Sequence, residues 1–556
     1  MKRLNAFRRS TIAQACRLVL GLALAGSAAA QAPAPAKAEK PQYGGSLSIG
    51  VVYYTVSPLS FDAGDWTWKF NQDAGLTYEM LFAADLGKAL RKGGKWDFRA
   101  DAWLPTDGTR GELAEKWRVL ENPWRVEVQL RKGVMFPAKP GVMAARELVA
   151  DDIVYAFERL NKSPKKLAGY YDYVEKVEAT DRHTVLFTFK NYNAEWDYRF
   201  GWGYYGAIQP REVAAAGAAD WKNANGTGPF MLENYVQGNS MVFRKNPGYW
   251  DSETIGGQAH KLPFADSITY RIVKDESTML TALKKSAPQM QWHRGLSMTT
   301  PMIALRTDTK PLDDVRVRRA LNMAVNKAEI ARSYWGGNAE LLGHPMHPSW
   351  QGYYEPLEAM PDSIRELFVY DPAKAKKLLA EAGHPNGFSF KVLVSTASTN
   401  QDMWAMVAAY LAKVGVKMEI QLLEYPAYLS AMGTKKHPAG YAMELGGSNP
   451  TTSLRKSFVT GQYWNPSIYS DPGFDKKIQE MYAEPDERVR QVKVKLLNRE
   501  VLEAAPMIWL PVPYLYTAWW PWVKNYGAEL RAGAERPGPI HARIWVDQEL
   551  KKKMGF

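Results

Sequence analysis

The chain has 556 residues, 46% of them hydrophobic and 23% charged. This is too long for one core and too apolar for a disordered chain, and a length of this order fits about two to four domains. The formal charge is +13, but its longest clusters (Lys165-Lys166, Arg316 to Arg319, Lys551 to Lys553) are short. A nucleic-acid footprint needs basic residues gathered on one face, so nucleic acid is not an expected partner.

The first thirty residues read as a secretory signal. Lys2, Arg3, Arg8, Arg9 and Arg17 precede the apolar run Leu18 to Ala25, and Ala28-Ala29-Ala30 closes it with a cleavage site before Gln31. That run is short of the roughly 20 residues a membrane span takes. The Arg8-Arg9 pair leaves general and twin-arginine export both open. Five basic residues leave with the signal, so the remainder carries +8. The single cysteine, Cys16, precedes the apolar run, where a lipid-anchoring cysteine would follow it. The mature chain then has no thiol, disulfide or cysteine metal site. Residues 31–42 form a Pro/Ala/Lys linker.

Past the linker the chain alternates strands and helices. GGSLSIGVVY is the first strand, and WRVEVQLRKGVMF alternates Val126, Val128 and Leu130. DDIVYAFERL puts Ile153, Phe157 and Leu160 on one helix face, with Asp151 or Asp152 as the expected N-cap. HTVLFTFK, SMVFRKNPGYW and DSITYRIVK are further strands, completing an α/β lobe that ends near residue 300.

The second half is sharper. DPAKAKKLLAEAG has Asp371 as cap, Pro372 in the first turn and Gly383 as stop. FSFKVLVST, the helix DMWAMVAAYLAKVG and the strand VKMEIQLLE form a strand–helix–strand crossover, which predicts a parallel pair. In the last of these, Val416, Met418, Ile420 and Leu422 are expected on one buried face. The helix DERVRQVKVKLLNREVLEAA follows, and PMIWLPVPYLY leads back out. Two α/β lobes with a crevice between them are the natural reading, and crevices of this kind bind ligands.

Local chemistry is sparse. The chain has no GxxxxGK[ST], GxSxG or HExxH. His344 and His347 have H-x-x-H spacing but sit in a proline loop with no acid before Glu355. No metal, cofactor or catalytic residue is predicted. Aromatic residues are abundant, with 20 Trp, 29 Tyr and 19 Phe. Most belong in cores; some, such as Trp66 and Trp68 in DAGDWTWKF, sit among polar residues and suit stacking on a solute.

Several strings resemble family 5 extracellular solute-binding proteins, the dipeptide and oligopeptide receptors of ABC importers. They are GELAEKWRV, VQLRKGVMF, ADDIVYAFERL, GTGPFML, FRKNPGYWD, PLDDVRVRRALNMAVNKAEI, YDPAKAKKLLAEAG and PMIWLPVPY, in order from about residue 43 to 525. The resemblance implies a two-lobed periplasmic-binding-protein fold of class II type. Lobe I would span 43–304 with an extra subdomain at about 80–220, lobe II 305–510, and 511–556 would return to lobe I. Hinges are expected near Leu305–Thr307 and Leu510–Pro513. It also implies a periplasmic, unanchored monomer that is not an enzyme and hands a small solute to a membrane permease.

In the family's peptide receptors an aspartate four residues before a proline holds the peptide's free amino group. Counted from Pro450 in YAMELGGSNP, that position is Gly446, and the family's tryptophan reads Met443. Glu444 lies two residues earlier, on the same strand face. The segment therefore reads as a cleft wall of Glu444, Gly446, Gly447 and Asn449 without the usual amine anchor. By the same resemblance Trp404, Tyr425 and Asn465 are contact candidates. The ligand is expected to be a peptide or another small solute, and one without a free α-amine is left open by the missing anchor. The alternative is a secreted hydrolase of oligosaccharides or peptides using paired carboxylates about 5–9 Å apart.

Overall fold

The computed structural model describes residues 40–51, 60–67, 69–99, 103–273, 283, 285–342, 345–447 and 449–556. The expected signal, most of the linker, Trp68 and His344 lie outside them. One compact unit holds 42–253 and 261–556; a small separate unit includes 254–260.

Within the large unit the buried apolar side chains fall into two cores. One draws on residues from Leu47 to Tyr270 and again from Trp522 to Val546. The other runs from Met298 to Leu510. Trp103 packs against both. This is the two-lobed arrangement, with the second lobe built from one continuous stretch.

The first core is backed by a four-stranded sheet in the order Ser46–Val51, Ser267–Ile272, Ser240–Lys245, Phe230–Val236. Its first pair is parallel and the others are antiparallel. A second, wholly antiparallel sheet runs Ala114–Leu120, Arg125–Leu130, Thr184–Phe189, Val174–Asp181. Val126, Val128 and Leu130 are buried on it as their alternation requires. The Ala150–Lys162 helix packs on this sheet through Ile153, Ala156 and Leu160. Its N-cap is Val149, not an aspartate. Asp152 works from the third helical position, where its carboxylate accepts the Val149 amide at 3.0 Å and both oxygens bind Arg146.

The second core has a five-stranded sheet in the order Lys417–Leu423, Ser389–Ser395, Gly440–Gly446, Thr299–Leu305, Met507–Trp509. The first three strands are parallel, as the crossover reading expects. The last two pair antiparallel. Asp371 caps the Pro372–Glu381 helix, accepting the Lys374 amide at 2.8 Å. The expected buried face of Lys417–Leu423 is only half realised. Met418 is buried, but Ile420 and Leu422 are 39% and 49% exposed, because this strand is the sheet's edge.

Two strands carry the chain between the cores. Gln291–Leu296 and Val512–Trp519 pair antiparallel in register Gln291↔Trp519 to Leu296↔Tyr514. Leu305–Thr307, expected at a hinge, does not fall where the chain passes between the cores. Leu305 is the buried last residue of the Thr299–Leu305 strand, inside the second core. The Leu510–Pro513 stretch does fall where the chain leaves that core.

Candidate functional site: the seam between the cores

Strand Gly440–Gly446 runs from the interior of the second sheet to its end, where Gly446 stands opposite Thr299 and Glu444 opposite Pro301. The chain then turns into the Pro450–Phe458 helix. Gly447 is buried in the turn, where a Cβ would meet the Trp350 ring and lie 2.6 Å from the Ser453 hydroxyl, so no larger residue fits. Asn449 caps the helix, its Oδ1 accepting the Thr451 and Thr452 amides. Pro450 in the first turn loses no hydrogen bond there.

Helix residues Thr451 and Thr452 then reach the other core. Their hydroxyls donate to Glu195 Oε1 at 2.7 and 2.5 Å, and Tyr482 Oη donates to the same oxygen at 3.1 Å. Glu195 Oε2 accepts Nε and Nη2 of Arg199 at 2.9 and 2.8 Å. Arg455 Nε approaches to 3.8 Å. Beside them the Ala194 amide donates to the Tyr482 carbonyl at 3.0 Å. Glu195 has no exposed surface. Burial pushes its carboxyl pKa up, but Arg199, Arg455 and the two threonine hydroxyls outweigh that and hold it below its ordinary value. Nearby Asp197 has fewer partners, and burial pushes it up to about 6.

A cavity of about 520 Å³ opens along this seam, with Tyr173 and Arg199 on one side and Arg455, Gln462 and Tyr482 on the other. The buried Tyr173 hydroxyl and Arg455 Nε there have no hydrogen-bond partner among the described residues.

The expected site residues divide. Glu444 and Gly446 lie at the end of the Gly440–Gly446 strand, and Gly447 and Asn449 lie between it and the Pro450–Phe458 helix. Glu444 is exposed, and its carboxylate accepts the Asn400 side-chain amide. The Gly446 carbonyl accepts Lys456 Nζ. Trp404 is instead a core residue, 1% exposed, with its indole on the Ser398 hydroxyl at 3.2 Å. Trp66 belongs to the first core, packed against Tyr170, Tyr171 and Tyr205, its indole on the Leu160 carbonyl. Asn465 is 1% exposed and ties its loop to the Val459 and Tyr469 carbonyls. Tyr425 opens the Tyr425–Gly433 helix, stacked on Tyr428. Trp68 falls outside the described residues.

Sequence reasoning missed Glu195, Arg199, Thr451, Thr452, Arg455 and Tyr482. Only the i, i+4 spacing of Glu195 and Arg199 hinted at a local pair; nothing marked the partners 256 residues away. Among the described residues there is no group of three or more His, Cys, Asp or Glu able to hold a metal, and no helix long and apolar enough to cross a membrane.

The profile of the bacterial extracellular solute-binding proteins, family 5, matches residues 108–287 and 281–465. The dipeptide-binding protein of Escherichia coli is 28% identical over 441 residues, covering 71% of this chain and 79% of the relative. Heme-binding protein A of Haemophilus influenzae is 25% identical over 446 residues, covering 72% and 78%. In three dimensions the chain is similar to the periplasmic binding protein DppA of Helicobacter pylori, solved with the peptide STSA, with a TM-score of 0.73 at 21% identity over 91% of this chain and 99% of that one.

Proposed function

Because the chain belongs to the bacterial extracellular solute-binding proteins of family 5, we propose that it is the periplasmic capture component of an ABC importer, closing its two lobes over a small solute and presenting it to a membrane permease. It works as an exported, unanchored monomer, binds without turnover, and has no nucleic-acid partner. The lobes follow the two cores: 43–297 with 511–556, and 298–510. Hinge motion is carried by the paired crossing strands Gln291–Leu296 and Val512–Trp519.

The observation that carries the ligand reading is Gly446. The family's amine-holding carboxylate is absent there, and an ammonium taken from water needs such a partner. Glu444 already holds Asn400. The solute is therefore a small molecule or blocked peptide without a free α-amine. The seam cavity, with the Tyr173 hydroxyl awaiting a hydrogen-bond partner beside the Arg455 guanidinium, supplies polar contacts of its own.

The test is a thermal-shift panel of free dipeptides, N-acetylated dipeptides, oligosaccharides and metal chelates on the mature protein. A solute at 100 times its Kd stabilises by about 2.7 kcal/mol, which in a chain this long moves the midpoint by roughly 2–4 °C or less. Blocked or amine-free solutes are expected to shift it and free dipeptides not. A shift by free dipeptides alone, abolished by Glu444→Gln, would instead make Glu444 the amine anchor.

A further inference from the structure

The polar cluster at the seam draws its members from both cores. The first core brings Glu195, Asp197 and Arg199; the second brings Arg455 and Arg490, with the hydroxyls of Thr451, Thr452 and Tyr482. The second side also carries Glu480 and Glu487, so the specific contacts at Glu195, and not net charge, join the halves. Glu195 sits at the centre. Its Oε2 is satisfied within its own core by Arg199, while the hydroxyl donors to its Oε1 all come from the other core. The Arg199 pair can persist in an open form; the hydroxyl contacts cannot.

Two of those donors are the second and third residues of the helix that Asn449 caps. Asn449, at the cap, and the cross-seam donors Thr451 and Thr452 thus belong to the same first turn. The helix is rigidly held, since every residue from Pro450 to Phe458 except Lys456 is buried. A displacement of Asn449 by a bound solute is therefore a displacement of Thr451 and Thr452.

We propose that Glu195 is a positioning residue that seats the Pro450–Phe458 helix, and with it its cap Asn449, against the opposite lobe, so that the receptor populates its closed form before any solute arrives. This rests on the two-lobed binding reading above. Contacts made only in the closed form bias the equilibrium toward it, and a solute then adds only its own differential affinity.

Small-angle scattering of the ligand-free mature protein tests this without needing the solute. Thr451→Val with Thr452→Val removes both hydroxyl donors, and with them the Thr451 hydroxyl contact to Asn449 Oδ1, and leaves the Glu195–Arg199 pair in place. The radius of gyration is expected to rise in this variant and in Tyr482→Phe, while Thr451→Ser with Thr452→Ser keeps the wild-type radius. If the valine pair does not fold, the tyrosine variant decides alone. Equal radii throughout would overturn the proposal, as would expansion in the serine pair, which would assign closure to the threonine methyls. Failure of every solute in the thermal panel would leave this result standing, so the two readings fail separately.

Discussion

At the scale of single residues, several side chains that suit a solute are used by the protein itself. Trp404 and Trp66 have the ring size and indole donor for stacking on a ligand, yet each is buried with its indole bonded to a protein oxygen. Asn449 and Asn465 spend their amides on a helix cap and on loop carbonyls. An aromatic or amide looks the same in sequence whichever partner it finds, so only placement separates the roles. His347 is a further case. Buried in the second core, with Nδ1 on the Ser349 hydroxyl at 2.7 Å, its imidazole is pushed down to about 4 from an ordinary 6.5 by burial. The unfolded chain takes up that proton first, so its contribution is complete above pH 6.5 and is lost as pH falls from 6.5 toward 4. Urea unfolding of His347→Gln and wild type is expected to show the variant losing up to about 3 kcal/mol less over that interval; parallel losses would refute the assignment.

At the scale of elements, the junction of Gly440–Gly446 with Pro450–Phe458 decides the site. A strand buried on both sides runs into a helix buried almost all round, which a polar loop-like sequence does not announce. Gly447 makes the junction possible, because the fully buried Trp350 ring occupies the space a Cβ would take. Gly447→Ala is expected to cost about 1–3 kcal/mol, measured as a shift in urea midpoint at constant slope. A neutral outcome would mean that the Trp350 ring gives way. The Lys417–Leu423 strand shows the converse: its alternation is clean, but a position at the sheet edge leaves Ile420 and Leu422 exposed.

At the scale of the whole molecule, Glu195 ties together chain segments more than 250 residues apart. Breaking a buried ion pair leaves the partner charge uncompensated, so Glu195→Gln, which strands Arg199 and Arg455, is expected to cost about 3–5 kcal/mol, read from equilibrium urea unfolding. A cost near that of a surface substitution would show that water already reaches the cluster. The crossing between the cores belongs to this scale too. Gln291–Leu296 crosses between cores because of what it pairs with, Val512–Trp519, and its sequence resembles any half-buried strand.

The sequence by itself determined what depends on neighbours a few residues away. Strand alternation, the Asp371 cap, the parallel crossover of the second lobe and the glycine at 446 all follow from local periodicity and residue type. Long ordered strings further sufficed for the family. Only the tertiary structure decided which aromatics are core, where the chain crosses between lobes, and that Glu195 meets Thr451, Thr452 and Tyr482. Those contacts join segments whose encounter is set by the packing of two separate cores, and the hydrogen bonds that satisfy a buried carboxylate leave no periodicity in the chain that supplies them.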